Sequence, residues 1–161
     1  MQTITVSRTV EAPASRVWEA LDDFGGIHRL HPLIERSPLL NGQPSGVGAE
    51  RECHFYSGGS IKERVTARDE GRRLGVTFTD VGPFPMKDAH AEFALRPLGA
   101  GRTETTFRFD FTPKFGPLGV LMAKTVMGAQ LRKSMNALLQ GLDDHLRTGK
   151  HVGPKGVLVA A

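Results

Sequence analysis

Two opposite charges, Arg51 and Glu63, share the apolar face of what reads as a single β-hairpin. Over residues 51–56 the positions in phase with Arg51 are Cys53 and Phe55, with Glu52, His54 and Tyr56 opposite. Over residues 60–69 the positions in phase with Glu63 are Ile61, Val65 and Ala67, while Lys62, Arg64, Thr66 and Arg68 take the other face. Both charges are therefore expected to point inward. A turn at residues 57–59 that pairs Phe55 with Ile61 sets Cys53 opposite Glu63 and Arg51 one diagonal away, within salt-bridge reach. Desolvating two charges costs several kcal/mol per ion, so an ion pair is a poor source of stability in a dry core. The hairpin alone leaves two readings open: a structural pair at a partly exposed sheet rim, or a polar anchor in a ligand cavity.

Other reactive side chains offer less. His28 and His31 lie three apart on a short helical turn with Glu35 nearby, but a zinc site ordinarily adds a second spaced pair, and none follows. No metal is expected. His31, just before Pro32, reads as a packing or entrance residue, and His54 and His90 fall out of phase with the apolar set and are expected to face solvent. Cys53, the single cysteine, reads as a small buried hydrophobe without an inward histidine to activate it. No G-x-S-x-G elbow, phosphate-binding glycine loop or dinucleotide fingerprint occurs, so no cofactor is expected. Glu63 is the one candidate general base, and its pairing with Arg51 would hold it ionised, suited to anchoring a ligand or taking a proton and unsuited to donating one.

The elements that must position this pair read as follows. Residues 3–11 alternate as a half-buried strand, with Arg8 in phase with the apolar set at its end. Ala12-Pro13 opens a helix whose face is Ala14, Val17, Trp18 and Leu21; Gly25 and Gly26 break it, and residues 27–30 form a second short turn before Pro32. Residues 35–40 are a weak strand, and 41–48 a Gly/Pro/Ser loop. After the hairpin, Leu74, Val76 and Phe78, then Ala89, Ala91, Phe93 and Leu95, then Thr105, Phe107, Phe109 and Phe111 give three more strands facing one interior. Beyond Pro113 a helical stripe of Leu121, Lys124, Gly128, Leu131, Met135, Leu138 and Leu142 predicts one helix of about 30 residues. Gly128 and Gly141 within it imply close packing or a bend. The order implies an α+β domain over residues 1–148, a curved antiparallel sheet covered by one long helix, and a 149–161 tail that is loose or docks on a partner. A sheet covered by a single helix leaves room for a cavity.

At 161 residues, 39% hydrophobic and 24% charged, the chain fits one domain. The net charge of +4 is scattered, and the denser group of Arg64, Arg68, Arg72 and Arg73 reads as a solvated face, so no nucleic-acid partner is expected. The single cysteine, the lack of a leader-like start and the absence of a long apolar run make a cytoplasmic protein without integral membrane association the expectation, with a homodimer possible.

Three groups of residues resemble a known family. Val17-Trp18, Asp23-Phe24-Gly25-Gly26-Ile27 and His31-Pro32 look like the opening signature of the polyketide cyclase/dehydrase-like branch of the START-like (SRPBCC) superfamily. Gly48-Ala49-Glu50-Arg51 followed by Gly59, Ile61 and Glu63-Arg64 resembles that branch's hairpin, and Pro83 and Pro85, the threonines at 103, 105 and 106 and the long C-terminal helix complete the likeness over about residues 3–147. The resemblance implies a helix-grip fold: seven antiparallel strands around a long C-terminal helix, two short helices after the first strand, and an apolar pocket between sheet and helix. In plant abscisic-acid receptors, distant relatives, the matching hairpin Glu lines the pocket, which implies the same place for Glu63. Their pocket lysine and gate loops have no counterpart here.

The expectation is therefore binding of a hydrophobic or amphipathic small molecule. Arg51 and Glu63 would orient its polar end, and Phe24, Phe55, Phe78, Phe93, Phe107, Phe109, Leu121 and Leu131 would form the wall. A cofactor-independent cyclase, aromatase or dehydratase with Glu63 as base is the alternative, and a protein-interaction module with a filled interior is the third.

Overall fold

The computed structural model describes residues 1–161. Seven strands form one antiparallel sheet: β1 (Gln2–Val10), β2 (Ile34–Arg36), β3 (Glu50–Phe55), β4 (Ser60–Asp69), β5 (Arg73–Asp80), β6 (Met86–Pro97) and β7 (Thr103–Pro113), in the order β1-β7-β6-β5-β4-β3-β2. Helix α1 (Ala14–Asp22) and a 3-10 helix (Phe24–Arg29) intervene between β1 and β2. The curved sheet, its inner face lined by alternate residues, is covered by the C-terminal helices α2 (Gly116–Lys124) and α3 (Val126–Thr148). The expected α+β helix-grip architecture is thus present, with both short helices in place.

Period-two patterning explains the strands. On β6 Ala89, Ala91, Phe93 and Leu95 are buried and on β7 Thr105, Phe107, Phe109 and Phe111, while Asp88, His90 and Arg108 are exposed. The apolar members of this set join Val17, Trp18 and Leu21 of α1 and Met135, Leu138, Leu139 and Leu142 of α3 in one cluster. Arg8 does not end β1 as the sequence implied; it lies inside the strand and donates through Nε and Nη2 to the buried Asp143 carboxylate, which also accepts from the Glu11 N–H at 2.9 Å. This ties α3 to the first strand.

Three expectations need correction. The hairpin register differs by two residues: Arg51 pairs directly with Glu63, and Cys53 with Ile61. Gly58 and Gly59, both in the left-handed region at φ 96° and 81°, allow the chain to reverse within residues 56–59 instead of 57–59. A two-residue difference preserves the face of every side chain, so the inward reading of the pair is unaffected. The predicted single helix is two: Thr125, at φ −112° and ψ −106°, interrupts it, its hydroxyl donating back to the Leu121 carbonyl at 2.9 Å. The remaining α3 spans 23 residues. The weak strand over 35–40 shrinks to Ile34–Arg36.

The tail folds back on its own chain. Two short strands, β8 (His151–Val152) and β9 (Leu158–Val159), pair as a hairpin that buries Val152 beside α3. Gly141 of α3 meets the segment before β2 so closely that a Cβ there would fall on the Leu30 carbonyl oxygen, as the close-packing reading of that glycine implied. No helix is long and apolar enough to cross a membrane.

Candidate functional site

A cavity of about 370 Å³ lies between the inner sheet face, α3 and the 3-10 helix, and 16 of its 24 lining residues are hydrophobic. Its walls follow from the strand pattern. Phe93 on β6 stacks on Phe107 of β7 with ring centroids 4.4 Å apart, Phe78 on β5 meets Phe109 edge-on at 5.6 Å, and Phe55 meets Phe84 in the β5–β6 turn edge-on at 5.6 Å. The interspersed Ala91 and Val76 are too small to fill the space opposite these rings. Leu131, Met135 and Leu138 of α3 close the other side.

The polar end belongs to the hairpin. Arg51 and Glu63, their side chains only 7% and 8% exposed, pair through Nε and Oε2 at 2.6 Å. Cross-strand partnership puts the two side chains on one face at adjacent positions, so no long reach is required. Arg51 also donates from Nη1 to the Phe24 carbonyl at 2.9 Å, and its guanidinium carbon stands 3.9 Å over the Phe24 ring. Burial works against the arginine's charge, and Glu63 beside it more than offsets this, so the Arg51 pKa is raised and the cation persists. Cys53 Sγ lies 3.6 Å from Glu63 Oε2, and burial first, then Glu63, raises its thiol pKa. That leaves the thiol protonated and inert.

Both members of the pair retain unused hydrogen-bonding capacity on the cavity side. Glu63 Oε2 takes both protein contacts and Oε1 none; Arg51 Nη2 has no protein partner. One donor group and one acceptor are thus offered together to whatever enters.

His31, expected from sequence as a packing or entrance residue, supplies a third polar group. The Leu33 N–H donates to its Nδ1 at 3.2 Å, which leaves the proton of the neutral ring on Nε2, and the side chain lines the cavity. Burial and the neighbouring Arg51 charge lower its pKa to about 3. The unfolded chain takes up a proton near the ordinary value of about 6.5, whereas the folded chain does not until far lower pH. Between those values the unfolded state binds more protons, so stability falls as the pH is lowered through that window. Urea unfolding from neutral pH down to about pH 4 should show a shallower loss of stability in His31→Gln than in the wild type; parallel slopes would remove His31 from this account.

Of the ten residues expected from sequence, Arg51, Glu63, Phe55, Phe78, Phe93, Phe107, Phe109 and Leu131 all line the cavity. Phe24 does not; it lies beneath the Arg51 guanidinium, fully buried, and holds that side chain in place from outside the lining. Leu121 is displaced altogether, 59% exposed on α2, because the break at Thr125 takes α2 out of the phase that the continuous stripe assumed. Ile27, Phe84, Gln130 and Ser134 are among the further lining residues, and each lies in a turn, in the 3-10 helix or on a helix flank, where periodicity marks no inward face. Leu33, Gln130 and Ser134 also border a second, more polar pocket of about 480 Å³ between α3 and the tail, which carries Lys133 and Lys155. Of the two, the inner cavity is the one lined by phenyl rings and by the Arg51–Glu63 pair.

Residues 1–147 match the family described as polyketide cyclase/dehydrase and lipid transport. No curated protein matches the chain. Among solved structures, a protein from Thermobifida fusca is 31% identical, the match covering 88% of this chain and 93% of that one with a TM-score of 0.70. The Zhui aromatase/cyclase from Streptomyces sp. R1128 is 21% identical over 94% of this chain and 99% of that one, at a TM-score of 0.66. A START superfamily protein from Mycobacterium smegmatis is 16% identical over 89% and 98%, at 0.71. The latter two are likenesses of fold.

Proposed function

We infer that this chain, which belongs to the polyketide cyclase/dehydrase and lipid transport family, binds an amphipathic small molecule whose apolar or aromatic body fills the cavity and whose oxygenated end meets Arg51 and Glu63. One observation carries the reading: a buried ion pair, Arg51–Glu63, keeps a free donor at Nη2 and a free acceptor at Oε1 at one end of an otherwise phenyl-lined space. Such a pair matches a hydroxyl close to a carbonyl, the hydroxyl donating to Glu63 and the carbonyl accepting from Arg51. His31, with its proton on Nε2, adds a second donor for the same carbonyl. Phenyl walls select for flatness and apolarity, and the anchor selects for the oxygens.

A second reading keeps the same pose and adds chemistry. Glu63 Oε1 is free to take a proton from carbon or oxygen next to a carbonyl polarised by Arg51, which is what a cyclase or dehydratase requires of its base. His31 supplies the second polar group that this reading lacked at the level of sequence. The likeness to an aromatase/cyclase favours it in fold only. The third possibility, an interaction module with a filled interior, fits poorly with an open volume of about 370 Å³.

The test is native mass spectrometry of freshly purified protein, followed by extraction of any retained molecule and by titration of the emptied protein with the fluorophore N-phenyl-1-naphthylamine. The expected result is a retained or dye-filled cavity whose affinity drops about tenfold or more in Ala91→Phe, which places a ring in the space while the protein still unfolds cooperatively. Protein that arrives empty and leaves the dye dark overturns the reading.

A further inference from the structure

The position of Leu121 is part of a larger pattern. Phe115 is 67% exposed, Leu118 63%, Leu121 59%, Met122 45% and Val126 80%, and all five lie on α2 or at its ends. The residues that α2 buries are small, Gly119 and Ala123. A helix packed on a core ordinarily does the reverse, turning its large apolar side chains inward. Phe115 even holds φ 69°, a left-handed conformation that bulky residues rarely adopt, with its ring outward. Isolated exposed apolar residues need no explanation, but five along one short helix and its two ends mark a contact surface.

Charge identifies the contact. Residues 112–142 contain no Asp or Glu, whereas Lys114 and Lys124 bracket α2, Arg132 and Lys133 follow on α3, and all four are exposed. None of the four makes an ion pair. On the neighbouring strands, Asp110 is engaged by Thr3 and Arg108, and Asp88 is exposed opposite Thr112. A second copy of the chain seated on this face would bring like charges together. A bilayer with anionic headgroups satisfies both requirements, an apolar interior for the side chains and phosphates for the lysines.

We propose that α2 is a membrane-docking helix that lies in the interfacial plane of an anionic phospholipid bilayer, with Phe115, Leu118, Leu121, Met122 and Val126 among the acyl chains and Lys114 and Lys124 at the phosphates. The Lys114 N–H donates to the Pro85 carbonyl at 3.0 Å, beside Pro83, Phe84 and Met86 of the cavity lining, so docking brings that rim of the cavity to the lipid. The docking stands on the exposed helix and does not depend on what the cavity holds.

Cosedimentation of the full chain with sucrose-loaded vesicles tests this, using phosphatidylcholine alone against equal parts of phosphatidylcholine and phosphatidylglycerol. The protein should pellet with the mixed vesicles, weakly with phosphatidylcholine alone, and less as salt is raised. Leu118→Glu with Leu121→Glu should cut the binding constant by about tenfold or more, and Lys114→Ala or Lys124→Ala by about fivefold each. These side chains are more than half exposed or bracket the helix, so the variants should keep the wild-type thermal transition. Wild type that stays in the supernatant with both vesicles, or variants that pellet like wild type, would overturn the proposal. So would a wild-type dimer by light scattering that dissociates in Leu118→Glu/Leu121→Glu without any vesicle binding, which would assign the face to a second copy.

Discussion

Glu63→Ala should lower the unfolding free energy by about 3–5 kcal/mol, a loss far above that of an ordinary surface charge, because it strands a guanidinium that is already out of water. Arg51 is only 7% exposed on its side chain, and without Glu63 its remaining partners are the Phe24 carbonyl and ring. Neither neutralises a buried cation. The informative companion is Arg51→Met/Glu63→Leu, which removes both charges and their desolvation cost together. It should recover most of the lost stability, short of about 1–3 kcal/mol for the Phe24 carbonyl left without a donor. Urea unfolding measures both variants. The same double variant separates folding from function: it should still take up N-phenyl-1-naphthylamine, which needs only the phenyl walls, and lose affinity for any extracted ligand that carries a hydroxyl and a carbonyl. If Glu63→Ala costs less than about 1 kcal/mol, the pair is solvated as a rim pair would be, and the anchor role fails with it.

That experiment decides between the two readings the hairpin sequence left open, and the reason they were open is physical. Alternation assigns a side chain to a face with certainty of parity, and Arg51, Cys53, Ile61 and Glu63 all took the inward face despite a two-residue difference in register. Parity says nothing about how much water reaches that face. The burial of the pair depends on Phe24, which arrives from the 3-10 helix through a contact 27 residues distant and leaves no periodic trace. His31 was hidden for the same reason: its role rests on a hydrogen bond from Leu33 and on the neighbourhood of Arg51, neither of which a histidine before a proline announces. The helix stripe failed for a different one. Leu121 fitted the period of α3 only if the helix ran unbroken, and a single threonine whose hydroxyl competes for the Leu121 and Met122 carbonyls ended that phase. The residues that read correctly, the phenylalanines of β5, β6 and β7, are those whose burial follows from local alternation plus one covering layer.

Gly141→Ala should destabilise the protein and loosen the cavity, against the direction that helix propensity gives. In an isolated helix the substitution would stabilise by about 1 kcal/mol. Here a Cβ would land on the Leu30 carbonyl oxygen, with Pro32 Cδ at 3.5 Å, and Gly141 is buried, so no side-chain rotation relieves the overlap. Backbone must move instead: α3 has to withdraw from the segment that carries Leu30, His31 and Pro32. Overpacking of this kind costs about 1–3 kcal/mol and occasionally more, enough to reverse the propensity gain. The movement is directional, because Leu138 and Met135, on the same helix one and two turns earlier, form one wall of the cavity and His31 and Leu33 another. Separating them widens the space between the phenyl walls and α3 and takes His31 away from the carbonyl it would contact. The expected result is a lower urea midpoint and a weaker affinity for N-phenyl-1-naphthylamine in the same variant. Asn136→Ala, at an exposed position of α3, serves as the control and should follow propensity with a small gain. If Gly141→Ala instead stabilises as the control does, the close approach of α3 to Leu30 is not what sets the width of the cavity, and the coupling between the helix and its polar rim has to be sought elsewhere in the contact.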